Sequence, residues 1–141
     1  MYLLKLSVLG LLLTLQQTCQ RDGSDKKDLL STGWELVSIN NNSPDSGLKA
    51  PTLFFAENEK KVNGFAGCNK FFGTYTLSGD SLTFSGLGST KMFCEQSMEL
   101  ENQYLGLLAK TENFVVSQNG TVLTLLSAAR PVLVFNKEEA R

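Results

Sequence analysis

The apolar residues of this chain change their spacing along its length, and each spacing predicts a different element. Residues 6–15 (LSVLGLLLTL) form an apolar run interrupted only by Ser7 and Thr14. From Trp34 the pattern alternates. In WELVSI, residues 34–39, Trp34 and Leu36 share one face, and Glu35, Val37 and Ile39 share the other. Residues 40–47, rich in Asn, Ser, Pro, Asp and Gly, end that strand in a loop. Leu53–Ala56 is a short apolar strand, the charged residues 57–61 form a hairpin tip, and Val62 starts the return. Thr74–Leu77 and Ser81–Phe84 flank Ser78-Gly79-Asp80, a second hairpin. Phe114–Ser117 and Thr121–Leu126 flank Gln118-Asn119-Gly120, and Asn-Gly tolerates the positive φ of a type I′ turn. Val132–Phe135, after Pro131, is the last strand.

One segment follows the helical period. Leu100, Tyr104, Leu107 and Leu108 make a single apolar stripe, Ser97 can cap it, and Glu99 and Glu101 fall in its first turn. The stripe is expected to pack on the protein's own sheet. The sum is about seven or eight short strands and one helix of about 13 residues. The expected fold class is mainly β (α+β): an antiparallel curved sheet or partly open barrel with one packed helix. A lone helix among strands argues against a parallel doubly wound sheet.

The first apolar run is too short to span a bilayer. Ten helical residues rise about 15 Å, half of the hydrocarbon core. With Lys5 before it, the run reads as the h-region of a signal peptide over residues 1–18. Cys19 follows at the place of a bacterial lipoprotein's lipidated cysteine, although Gln16 and Thr18 depart from the usual lipobox residues. Cleavage without lipid is the alternative. Residues 20–32 (QRDGSDKKDLLST) carry six charges among thirteen residues. That composition predicts a solvated tether over 19–32, with a charged first helix disfavoured by Gly23 and Ser24. The folded domain is then expected over residues 33–137.

Charge excludes more than it suggests. The chain has 13 basic and 14 acidic residues, and loss of Lys5 with the leader leaves 12 against 14, a balance of −2. Such a balance provides no general pull toward nucleic acid. There is no histidine among the 141 residues, so Ser-His, Cys-His and His-ligated metal chemistry are ruled out. The three cysteines are Cys19, Cys68 and Cys94. With Cys19 lipidated, the other two form an even pair in an oxidising compartment. The expectation is a structural disulfide tying a glycine-rich bend to the helix entrance. It would close a 27-residue segment and contribute about 3–4 kcal/mol. Two reduced buried thiols, or a redox or metal pair, are the alternatives. Met92, Cys94 and Met98 could offer soft ligands to Cu(I), but methionine beside cysteine is more often core filler.

Residues 62–75 (VNGFAGCNKFFGTY) resemble the signature of the META domain, the family that includes the bacterial heat-shock protein HslJ. The resemblance rests on Gly64, Gly67-Cys68-Asn69, Phe72, Gly73 and Tyr75, then Thr90, Met92 and Cys94, a helix near Met98 with Glu101 and Leu108, and an opening Trp34. It runs from about Trp34 to Phe135. It implies a small antiparallel β domain with a packed helix, common in exported or lipid-anchored proteins. Some members are associated with heat shock, antibiotic tolerance, or virulence-related secretion and motility. It implies no biochemical activity.

The same motif has a physical reading. Gly64, Gly67 and Gly73 supply conformations and close approaches that a Cβ resists, and Asn69 can bond its own backbone in a turn. The segment reads as a bent strand or loop, with Asn69, Lys70 and Phe71 as a candidate binding surface. Its glycines fit neither GxGxxG nor GxxxxGK[ST], no Ser stands in GxSxG or SxxK, and no cofactor pattern emerges. The expectation is a non-catalytic module of the bacterial cell envelope, anchored by lipid and facing the periplasm or exterior, or else soluble and secreted. It would bind an envelope protein, peptide or other component and serve stress tolerance. The alternative is a carrier of a small apolar ligand, held in a sheet pocket lined from the nine Phe and three Tyr.

Overall fold

The computed structural model describes residues 22–138. Its strands are β1 (Trp34–Ile39), β2 (Thr52–Ala56), β3 (Lys61–Phe65), β4 (Lys70–Ser78), β5 (Ser81–Ser89), β6 (Asn113–Ser117), β7 (Val122–Ser127) and β8 (Arg130–Lys137). Two helices accompany them, α1 (Asp22–Leu30) and α2 (Met98–Ala109). The strands pair antiparallel in chain order, and β8 returns to β1, closing a barrel. The strand count and the α2 stripe follow the sequence pattern, but β4 and β5 extend well beyond their predicted 74–77 and 81–84.

The barrel is closed unevenly. β4 and β5 share a long ladder from Ser78↔Ser81 to Phe71↔Ser89, whereas β5 meets β6 only at Ser81↔Asn113, and β1 meets β2 only at two residue pairs. α2, inserted between β5 and β6, packs against β5 and β8. The registers define two ends. One carries the β2–β3, β4–β5 and β6–β7 turns. The other carries the residue 66–69 turn and the residue 90–97 link into α2.

Alternation fills the interior. Leu53, Phe55, Val62, Phe71, Tyr75, Leu82, Phe84, Leu123, Leu125, Leu133 and Phe135 all lie in the buried core. Their rings interlock: Phe55 meets Tyr75 edge-on at 5.1 Å, and Tyr104 of α2 meets Phe71 at 5.7 Å and Phe135 at 6.2 Å. Edge-to-face contacts of this kind add about 0.5–1.5 kcal/mol beyond area burial. The buried Tyr104 hydroxyl donates to Thr52 O at 3.1 Å, while the Tyr75 hydroxyl is buried without a partner among the described residues.

Residues 22–30 correct the tether expectation. They form α1, and Leu29 is fully buried. Charge counting missed the Leu29-Leu30 pair at the end of the segment. Leu29 enters the core, its carbonyl accepts the Trp34 indole N–H at 3.0 Å, and α1 packs on β2 and β6. Asp28 lies against Gly120 in the β6–β7 turn, so α1 covers that end of the barrel. The signal peptide and Cys19 lie outside the described residues.

Candidate functional site

The glycine-rich bend forms where β3 must leave the sheet and β4 must enter it. Gly64 is needed because a Cβ there would lie 2.0 Å from Thr52 O, inside the backbone of β2. Gly67 takes φ +130°, which L side chains rarely adopt. The bend closes when Ala66 N–H donates to Asn69 O at 2.8 Å. This presents the N–H groups of Cys68 and Asn69 side by side toward the first turn of α2.

Glu101 receives them. Its Oε2 accepts from Cys68 N–H at 2.9 Å and from Asn69 N–H at 2.6 Å, and its Oε1 accepts from Asn69 Nδ2 at 2.8 Å. Asn69 uses the rest of its amide on the 90–97 link. Nδ2 also donates to Met92 O at 3.0 Å, and Oδ1 accepts from Met92 N–H at 2.7 Å and from the Thr90 hydroxyl at 2.8 Å. The two side chains are 1% and 3% exposed, so each bond forms away from competing water. Burial alone would raise the Glu101 carboxyl pKa. The Asn69 amide, the two backbone N–H groups and the charge of Lys91 outweigh it and hold the pKa below the ordinary carboxylate value.

A covalent tie backs this network. Cys68 and Cys94 are disulfide-bonded with their Cα atoms 5.8 Å apart, within the usual 4.4–6.8 Å range. Cys94, bonded in this way, offers no thiolate to copper. Among the described residues there is no cluster of three or more His, Cys, Asp or Glu suited to a metal. Ser97 stands at the N-cap of α2 but makes no side-chain capping bond.

The candidate surface of Asn69, Lys70 and Phe71 is therefore corrected. Asn69 is consumed by the network, and Phe71, at 1% exposure, points into the barrel because it alternates with Lys70 and Phe72 along β4. Only Lys70 of the three is exposed. The exposed apolar residues at this end are instead Phe72, Met92 and Phe93, with Phe93 80% exposed. The Phe72 ring lies over Gly88 of β5, where a Cβ would come within 2.8 Å of it. Nothing in the sequence pattern singled out Met92 and Phe93 as surface residues. Their exposure follows from Asn69 gripping both backbone groups of Met92, so that the link cannot fold its side chains inward.

At the same end, residues 39–48 and the start of α2 enclose an open groove of about 480 Å³. Pro44, Leu48 and Leu100 line it beside Asn42, Asp45 and Gln103.

The family model described as "META domain" matches residues 27–140. Solved structures share the fold. An NMR structure of a protein from Burkholderia xenovorans is 24% identical, with a TM-score of 0.66 over 82% of this chain and 89% of that one. A second NMR structure is 29% identical, with a TM-score of 0.60 over 78% of this chain and 92% of that one. The crystal structure of a DUF4847 family protein from Bacteroides vulgatus is 14% identical, with a TM-score of 0.57 over 80% of this chain and 96% of that one. No functionally curated protein matches the chain.

Proposed function

The chain belongs to the META domain family, and from that premise we propose that it is a non-catalytic module of the bacterial cell envelope, lipid-anchored through Cys19. It faces the periplasm or exterior, binds a protein or peptide at the barrel end carrying Met92 and Phe93, and serves stress tolerance. One observation carries this reading. The most distinctive polar residues of the motif, Asn69 and Glu101, expend their hydrogen bonds on each other and on a link that exposes two large apolar side chains. A buried, fully satisfied polar network is costly to leave incomplete and specifies one geometry. Here that geometry is the shape of a surface. The interlocked rings of the barrel interior favour this surface over an enclosed apolar ligand site.

Two measurements test the reading. Cys19→Ser should move the protein from the membrane fraction to the soluble envelope fraction. Unchanged membrane association, with no acyl mass on the mature N-terminus, defeats the anchoring half. A photo-crosslinking residue at Phe93 should give discrete adducts in intact cells, whereas one at the exposed Thr76 near the opposite end should not. Equal or absent adducts at both sites defeat the binding half.

A further inference from the structure

We infer that the Met92–Phe93 surface recognises a peptide segment of a partner protein in which large apolar side chains are flanked by carboxylates. This rests on the binding-module reading above and gives its partner a chemistry.

Phe72, Met92 and Phe93 are 58%, 61% and 80% exposed, whereas Phe71, beside Phe72 on β4, is drawn into the core. Lys70 precedes Phe72 by two positions on the outer face of β4, and Thr90 N–H donates to Lys70 O at 3.0 Å, which brings the start of the link beside it. Lys91 directly precedes Met92. Both lysines are exposed, and the only ion pair among the described residues is Lys61 with Glu59, far along the sheet. Neither ammonium forms an ion pair among the described residues, although the charge of Lys91 also acts on the buried Glu101 carboxylate. Glu95, the nearest exposed acid along the link, lies beyond Cys94. A complementary ligand places apolar groups on Phe93 and Met92 and anions on Lys70 and Lys91.

Position separates a peptide from a bilayer. α1 covers the opposite end of the barrel, where Asp28 meets Gly120, and the segment bearing Cys19 joins α1 at Asp22. A domain held at its α1 end directs the 90–93 link away from its own membrane. Rigidity favours binding as well. The disulfide and the Asn69 bonds fix the link before a ligand arrives, so little ordering entropy remains to be lost. The surface is small, which places the interaction in the transient class.

The test uses the full chain in nanodiscs of zwitterionic, net-neutral phosphatidylcholine. The probe is a fluorescent 12-residue peptide alternating Leu and Phe with Asp and Glu, read by anisotropy. Saturable binding is expected, with a lysine-substituted version of the peptide at least about tenfold weaker. Phe93→Ala should weaken binding about tenfold or more. It should leave the melting temperature unchanged, because the side chain is outside the core. Lys70→Glu/Lys91→Glu should reverse the preference toward the lysine peptide, and added salt should weaken the parent's binding. Absence of saturable binding, equal binding of both peptides, or indifference to Phe93→Ala each overturns the inference. Binding to phosphatidylglycerol vesicles in place of the acidic peptide overturns it in favour of a lipid surface. If the peptide fails while Phe93 crosslinks in cells, the partner chemistry falls and the binding-module reading stands.

Discussion

Replacing Glu101 tests the central construction most severely. Glu101→Ala removes the acceptor of three donors: Cys68 N–H, Asn69 N–H and one Asn69 Nδ2 bond. Asn69 Nδ2 keeps one hydrogen on Met92 O, so the two backbone donors and its other hydrogen bear the loss. A buried donor left without a partner costs about 1–3 kcal/mol, and more where the lost acceptor was charged. The expected destabilisation is about 3–5 kcal/mol, a large share of the roughly 5–15 kcal/mol that holds a domain folded. At this size that corresponds to a fall of about 15 °C in melting temperature. Glu101→Gln should fall between, at about 2–3 kcal/mol. It keeps one oxygen for the backbone pair but turns an NH₂ toward Asn69 Nδ2. Asn69 cannot flip to receive it, because its oxygen is already held by Met92 N–H and the Thr90 hydroxyl. Urea unfolding followed through Trp34, the only tryptophan and fully buried, supplies the measurement. The pH dependence has a definite sign. The folded carboxyl has a lowered pKa, so its contribution is complete above the unfolded value of about 4.3 and is lost as pH falls toward the folded one. The stability gap between parent and Glu101→Gln should therefore shrink below about pH 4. A cost under about 1 kcal/mol for Glu101→Ala, or a gap that is constant from pH 5 to pH 2, would refute the reasoning.

Cys68→Ala/Cys94→Ala should lose about 2–4 kcal/mol in the same assay yet keep its β-rich circular dichroism, since Asn69 still grips Met92; equal stability with the oxidised parent would make the bridge irrelevant. Leu29→Ala should cost about 2–4 kcal/mol because Leu29 is fully buried, whereas a change under about 0.5 kcal/mol would restore the tether view. Tyr75→Phe should leave stability unchanged or raise it by about 1 kcal/mol, because it deletes a buried hydroxyl that has no partner; a loss above that size would reveal an unseen bond.

Much of the fold could be read from the chain because it depends on local rules. Alternation over Thr74–Leu77 and Ser81–Phe84 places Tyr75, Leu82 and Phe84 inside, and the helical stripe buries Tyr104 and Leu108 with Leu100 packed against the core. What was misread depends on distant partners. Residues 22–30 look solvated by charge count, and only the packing of α1 on β2 and β6 makes Leu29 a core residue. The β7–β8 turn carries no turn signal, yet Ala128 and Ala129 both adopt positive φ, 48° and 58°, imposed by the strands they join. Asn69 was legible as a turn residue but not as a clamp. Its partner Glu101 lies 32 positions away, inside what looked like an ordinary acidic first turn.

The packing of α1 also sets a leash. Had residues 20–32 been free chain, the domain could have wandered about 45 Å from a lipid on Cys19, at roughly 3.5 Å per residue. Because residues 22–30 are wound into α1 and packed on the barrel, nine residues of that span add no reach. With Cys19 lipidated as proposed, the barrel stays nearer the headgroups than a free tether would hold it. The barrel's own depth, from one rim to the other, adds at most about 30 Å, the length of the nine-residue strands β4 and β5. Such a molecule does not search the space around it. Its partners come to a layer over the bilayer whose depth α1 limits, and releasing α1 from the barrel would widen that layer.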